Sequence, residues 1–320
     1  MSWFGAEVNG PLVLTRAIHF AASATTAGAV MFRVFVAEPA LRPSRDGGAI
    51  LQSRMAALTW TGLAVAAVTG LVWFMLLTMS ITGLGSGETI RSGAVLTVAG
   101  DTQFGLVSEM RAAFALVLAV CLVLSRFVVL RWLELAAASA LVGAIAWTGH
   151  AGSTLGKLGI LHLTADVLHL VAASAWIGGL FGLSILFAVG RRRSASEWEL
   201  LQLDAVLRFS TLGMISVAAL ILSGIVNAWI LVGSFRALLV TDYGQLLLLK
   251  IMAFVVMVGF AAVNRFWLTP RIALTTKTKT HTNALSALTR NTLIEIALAL
   301  AIFAVVGVLG TLHPAIHLMN

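Results

Sequence analysis

Eight runs of mainly apolar residues, each long enough to cross a bilayer, occupy most of this chain, with approximate limits 11–37, 50–79, 106–130, 132–149, 162–189, 205–233, 243–268 and 290–312. A crossing needs about 20 such residues. Inside lipid the backbone must satisfy its own polar groups, and runs of this length can do so only as helices. The expected fold is therefore an all-α integral membrane protein: a polytopic bundle of about eight transmembrane helices forming a single domain over residues 1–320. The fourth run, RWLELAAASALVGAIAWTG, is short and follows the third after almost no loop. Composition agrees with a membrane chain, since 11% of residues are charged against roughly 25% in soluble domains. The start MSWFGAEVNG lacks a cationic n-region, and the first run is long enough to span, so it reads as a retained helix. No internal repeat, low-complexity tract or linker to a soluble domain stands out.

The net charge of +8 does not call for a nucleic-acid partner, because the Lys and Arg residues sit in short loops between the runs, as topology requires. Arg42, Arg45 and Arg54 lie in the first loop and Arg126 and Arg131 at the third junction. Arg191, Arg192 and Arg193 lie in the fifth, and Arg265, Arg271, Lys277 and Lys279 around the seventh. The alternate loops hold only Arg91, Lys157 and Arg236. Positive loops face the cytoplasm, so both termini are expected on the outer, periplasmic side. The lone cysteine, Cys121, falls within an apolar run and supplies neither a disulfide framework nor a CxxC metal site.

On that topology the stretch LHLTADVLHLVAASAWIGGL, residues 161–180, is unusual. It places His162, Asp166 and His169 at i, i+4 and i+7, on one helical face. His150, His162, His313 and His317 are expected at the outer surface, and His281 alone on the inner side. His19 and His169 sit on the order of 10–12 Å deep at 1.5 Å per residue. Arg16 lies one turn above His19, Lys250 about two turns into the seventh run, and Glu109 and Arg111 at the outer start of the third. Ionisable groups at such depths cost about 2.5–3.5 kcal/mol each on insertion scales, so they should face the bundle interior and mark function. Imidazole binds copper, iron, nickel and zinc, and thioether sulfur selects Cu(I). Met75 and Met79, at i and i+4, and Met110 share the outer half. Together these residues point to a copper path. Plainer readings stand beside it: interfacial histidines, methionines filling gaps, a structural Asp166–Lys250 ion pair, an aromatic belt of Trp60, Trp73, Trp147, Trp176, Trp229 and Trp267, and close helix approach at Gly178 and Gly179.

The segment LRFSTLGMISVAALILSGIVNAWILVGSFRALLVTDYGQLLLLKIMAFVVMVGFAAVNRFWLTPRI, residues 207–272, resembles the core of the copper resistance protein D (CopD) family of bacterial inner-membrane proteins. The likeness runs through Phe209, Ser210, Gly224, Gly233, Thr241, Tyr243, Gly244, Lys250, Asn264, Arg265 and Pro270. Asp166, His169, Trp176, Gly178 and Gly179 are similar to an upstream helix of that family, and Thr102, Gly105 and Arg111 to its pattern before the third span. The CopD-like core covers about residues 160–310. The resemblance implies copper homeostasis and resistance at the inner membrane: transport of periplasmic copper inward, with a separate small periplasmic copper-binding partner of the CopC type. It also implies kinship with membrane cytochromes that hold haem b between histidines.

The expectation is a transporter rather than an enzyme. His150, His162, His313 and His317 form its copper-receiving mouth, and His169, Asp166 and His19 continue inward, flanked by Met75 and Met79. Lys250 tunes Asp166, with Arg111, Glu109 and Arg16 as further charge partners. One rival is a redox protein, possibly a copper reductase, with His19 and His169 as axial haem ligands. Another is a non-transporting membrane anchor for a periplasmic copper protein.

Overall fold

The computed structural model describes residues 9–41, 48–124, 129–191, 196–274 and 279–318. Arg42, Arg45, Arg126, Arg192, Arg193 and Lys277, and the side chains of Lys279, His281 and His317, lie outside the described residues. Every regular element among the described residues is helical, and eight helices are long and apolar enough to cross a membrane. They are α1 (Gly10–Leu41), α2 (Gly48–Thr82), α3 (Gln103–Val123), α4 (Leu130–Thr148), α5 (Gly156–Gly190), α6 (Trp198–Val232), α7 (Asp242–Leu274) and α8 (Thr282–Leu309). All eight expected spans are present, the short fourth included. Short helices at Ser86–Arg91, Ala94–Asp101, His150–Ser153 and Phe235–Val240 turn the chain between spans at one end of the bundle, called here the histidine end. The opposite end is the arginine end. There Arg33, Glu38, Arg131 and the buried Glu134 form an ion-pair network joining α1 to α4.

Helices α1 and α5 are the central pair and the most buried spans, whereas α7 is buried least and turns its apolar side chains to lipid. The two central helices meet backbone to backbone at Gly28 and Gly178. A Cβ on Gly28 would strike the Ser174 carbonyl and the Gly178 Cα, and one on Gly178 would strike Gly28 in return. Without a hydrophobic force between helices in lipid, such small-residue contacts are how membrane helices approach closely.

Contacts on either side of that crossing recur in the same order, so the bundle reads as two similar four-helix halves. His19 on α1 shares its Nδ1 with Thr69 on α2 at 3.0 Å, and His169 on α5 shares its Nδ1 with Ser223 on α6 at 3.0 Å. Each hydroxyl in turn reaches a carbonyl one turn back, Val65 or Ala219, at 2.6 Å in both cases. The next residue is glycine in both halves, Gly70 and Gly224, and faces the imidazole. Helix α3 starts with Thr102 accepting from the Gly105 N–H, and α7 starts with Thr241 accepting from the Gly244 N–H, each at 3.0 Å. Both capping glycines pack against the end of the short helix before them. Arg111 on α3 and Lys250 on α7 occupy matching places after those caps, and both halves close on Thr-x-His, at Thr148–His150 and Thr311–His313. The expectation of no internal repeat is therefore overturned. Each half contains four spans, so the two point the same way through the membrane, as parallel repeats do. The sequence hides the repeat because lipid-facing positions accept any apolar residue, leaving about a dozen polar and glycine positions to carry it.

Candidate functional site

The two matching histidines sit in different chemistry. On α1, the Arg111 guanidinium donates to His19 Nε2 at 2.5 Å, so the ring proton is on Nδ1 and goes to Thr69. Arg111 also donates to the Leu141 carbonyl and to the Ser23 hydroxyl. Trp73 packs 5.4 Å from the His19 ring and 5.2 Å from Phe104, and the Arg16 guanidinium lies over both Trp73 and Phe20. Arg16 is anchored to the Gly310 carbonyl at 2.7 Å. This node has two cations, an aromatic seal and an imidazole with no free nitrogen.

The second node exchanges those features one for one: Asp166 stands in place of Arg16, Asn227 in place of Trp73, Tyr243 in place of Phe104 and Lys250 in place of Arg111. Asn227 donates to Asp166 at 3.1 Å. Lys250 and Tyr243 both feel the Asp166 charge, and Lys250 acts on His169 as well. No direct Asp166–Lys250 ion pair occurs among the described residues, so the plainer reading of the two as a structural ion pair is not met. Because the Ser223 hydroxyl donates to Ala219, His169 must donate through Nδ1. Its Nε2 keeps a lone pair with no hydrogen-bond partner among the described residues. A hydroxyl on one nitrogen that frees the other is how ligating histidines are oriented.

At the histidine end, His162 is 1% exposed rather than at a wet helix end, as expected. Helix α5 begins at Gly156, before His162, and the turn His150–Ser153 folds over it. His162 shares its Nδ1 with Thr154 at 2.8 Å, and Thr154 donates onward to the His150 carbonyl. The His150 Nε2 is buried and unpartnered. Burial holds the His150 pKa below the usual histidine value, the Leu309 carbonyl offsets this in part, and the nearby Arg16, His162 and His313 push it lower. The ring therefore stays neutral, with its lone pair intact, at neutral pH. Its face lies 6.1 Å from the buried Tyr243, which leads on to Asp166. His313 is exposed.

The structure thus gathers His150, His162 and His313 at one mouth and aligns Tyr243, Asp166, Asn227, Lys250 and His169 below it. His19 is bonded to Thr69 and His169 to Ser223, and no hydrogen bond or ring contact joins the two imidazoles among the described residues. Met75 and Met79 are half-buried on α2, while Met110 is 47% exposed and Glu109 is exposed, outside the node. No three His, Cys, Asp or Glu side chains among the described residues stand close enough to cage a metal ion. Ser223, Asn227, Tyr243 and Thr154 were not singled out from sequence as ligand-orienting groups. The hydroxyl–glycine pairs Thr69–Gly70 and Ser223–Gly224, set against the two deep histidines, were the available signal.

Comparison with known proteins agrees with this organisation. Residues 7–160 match the family model described as copper resistance protein D-like, N-terminal domain, and residues 203–309 match that of copper resistance protein D. Copper resistance protein D of Pseudomonas syringae pv. tomato is 30% identical over 171 residues, 53% of this chain and 55% of its own length. Inner membrane protein YebZ of Escherichia coli (strain K12) is 32% identical over 170 residues, 53% of this chain and 55% of its own. Copper transport protein CutJ of Bacillus subtilis (strain 168) is 29% identical over 272 residues, 80% of this chain and 46% of its own. The chain spans about half the length of these curated relatives. No solved structure matches it. With both halves matched in order and eight membrane-crossing helices, the chain belongs to the copper resistance protein D family of multi-pass membrane proteins.

Proposed function

We propose that this protein takes copper at the histidine end and passes it inward, past Tyr243 and Asp166, to His169 within the second half. The observation that carries this reading is a pair of imidazole nitrogens left free to ligate: His150 Nε2, buried and unpartnered at the mouth, and His169 Nε2 further in, which has no hydrogen-bond partner among the described residues. A ligand held ready at each level, without a closed cage, suits an ion that must enter and also leave. The Asp166 carboxylate offsets the Lys250 charge that would otherwise repel the cation. The exposed His313 is the natural point of delivery for a periplasmic carrier of the CopC type. Copper is favoured over haem b between His19 and His169 because Arg111 donates to the His19 Nε2, the nitrogen that a haem iron would take.

Changing His150 and His313 to alanine together tests the mouth, since His162 is packed under the preceding turn and its loss would confound folding. Copper affinity should fall at least about tenfold, or about 1.4 kcal/mol, with the yield of folded protein unchanged. Unaltered affinity would return both histidines to an interfacial role. Copper uptake into sealed vesicles separates transport from simple anchoring of a partner.

The orientation we propose has the arginine end in the cytoplasm of a bacterial inner membrane and both termini in the periplasm. A reporter active only in the periplasm should work when fused after Asn320, and one active only in the cytoplasm when inserted in the loop at Arg191. A cytoplasmic signal from the C-terminal fusion would turn the mouth inward and reverse the direction of flux.

A further inference from the structure

A cavity of about 320 Å³ opens at the side of the bundle, with α6 and α7 as its two edges and α5 and α8 behind it. We propose that it is a phospholipid site, with one acyl chain in the cavity and the phosphate on Arg265.

Its walls are apolar for most of their length, from Val206 to Ile221 on α6 and up to Val258 on α7, with Trp176 and Leu180 behind. At 1.5 Å per residue the α6 wall runs about 22 Å, a slot for an extended chain rather than a compact solute. Met214 and Ile221 on its rim are more than 40% exposed, so the opening faces lipid. The polar end of the slot lies toward the arginine end, where the Arg265 guanidinium touches the Ser210 hydroxyl and the Phe266 ring. No carboxylate pairs with Arg265 among the described residues. Beside it Trp267 is 65% exposed, and an exposed Trp next to a basic residue near a span end is the pattern of an aromatic belt at the lipid headgroups. A guanidinium without a carboxylate partner matches the fork geometry of a phosphate. In the other half α2 and α3 pack directly, whereas α6 and α7 meet only toward the arginine end, through the Arg265–Ser210 contact and the last turns of α7.

Gly213 makes the proposal testable without damage to the bundle, because it lines the slot and a Cβ there meets nothing within 4 Å. The protein is extracted in mild detergent without copper, so the outcome is independent of the copper path, and retained lipid is read by native mass spectrometry. One phospholipid per chain should stay bound. Gly213→Phe, which fills the slot, and Arg265→Gln, which removes the charge, should each lower retention at least fivefold. Arg208→Gln, at an exposed arginine already paired with Asp204, should leave it unchanged. Vesicle-borne phosphatidylglycerol and phosphatidylethanolamine should each restore occupancy to delipidated protein, and diacylglycerol should not. Should Arg265→Gln fail to fold, Gly213→Phe and the diacylglycerol comparison decide the matter. Retention indifferent to Gly213→Phe, equal binding of diacylglycerol, or recovery of a quinone hydrogen-bonded to the unpartnered Glu295 Oε2 would overturn the proposal.

Discussion

Replacing His169 by alanine is expected to bring copper uptake into sealed vesicles to background, a loss on the order of 100-fold, while the helical, monodisperse protein is still recovered. Asp166, one turn away on the same helix, is held by Asn227 rather than free to take the place of the lost imidazole. Ser223→Ala should fall between this variant and the native protein, because it keeps the ligand but releases its orientation, and such supporting contacts are worth about 10–100-fold. His19→Ala should behave differently. It leaves Arg111, which is 7% exposed, without its main side-chain acceptor, and should therefore lower thermal stability before it lowers uptake per folded molecule. Equal uptake per folded molecule in the His169→Ala protein would sink the copper path and leave the second node a structural one.

The second large effect is at the helix crossing. Gly28→Leu or Gly178→Leu should prevent recovery of folded protein, since the new side chain would enter the backbone of the facing helix and no rotamer can turn it away. Overpacking costs about 1–3 kcal/mol where side chains can yield, and here the obstacle is main chain. Gly10→Ala, at a glycine whose Cβ would meet nothing within 4 Å, serves as the matched control and should melt with the native protein. Native-like melting of both leucine variants would mean that α1 and α5 do not meet as described.

Much of the architecture was legible because lipid imposes it. A span must be long, apolar and helical, so eight runs gave eight helices, with limits shifted by a few residues where α5 starts at Gly156 and α7 continues to Leu274. Position along each helix was legible for the same reason, and His19 and His169 each stand nine residues before the glycine of the crossing, Gly28 or Gly178. What a sequence cannot give for a membrane helix is its rotation, because in lipid both buried and exposed faces are apolar. Rotation decides that His19 turns to Thr69 and His169 to Ser223, and not to each other. It also puts Met110 and Glu109 on the outside although they share a turn with the buried Arg111. The hydrogen bond from Asn227 to Asp166 was likewise not legible, because it depends on which faces of α5 and α6 meet.

The reciprocal contact of Gly28 with Gly178 also carries a history. Two equivalent glycines touching across a two-fold axis are what a symmetric homodimer of a four-helix chain would present, with residue i meeting its own copy. The paired positions are what the doubling of a four-helix unit within one chain would leave, with each copy then free to change by itself. One copy carries Arg16, Trp73 and Arg111 and has become a rigid, cation-sealed buttress. The other carries Asp166, Asn227 and Lys250 in the same three places and keeps its imidazole available. An ancestor with identical subunits had no such choice, since any substitution that stiffened one site stiffened both. Within one chain the two halves need not match, so one can seal its imidazole behind cations while the other leaves its imidazole available.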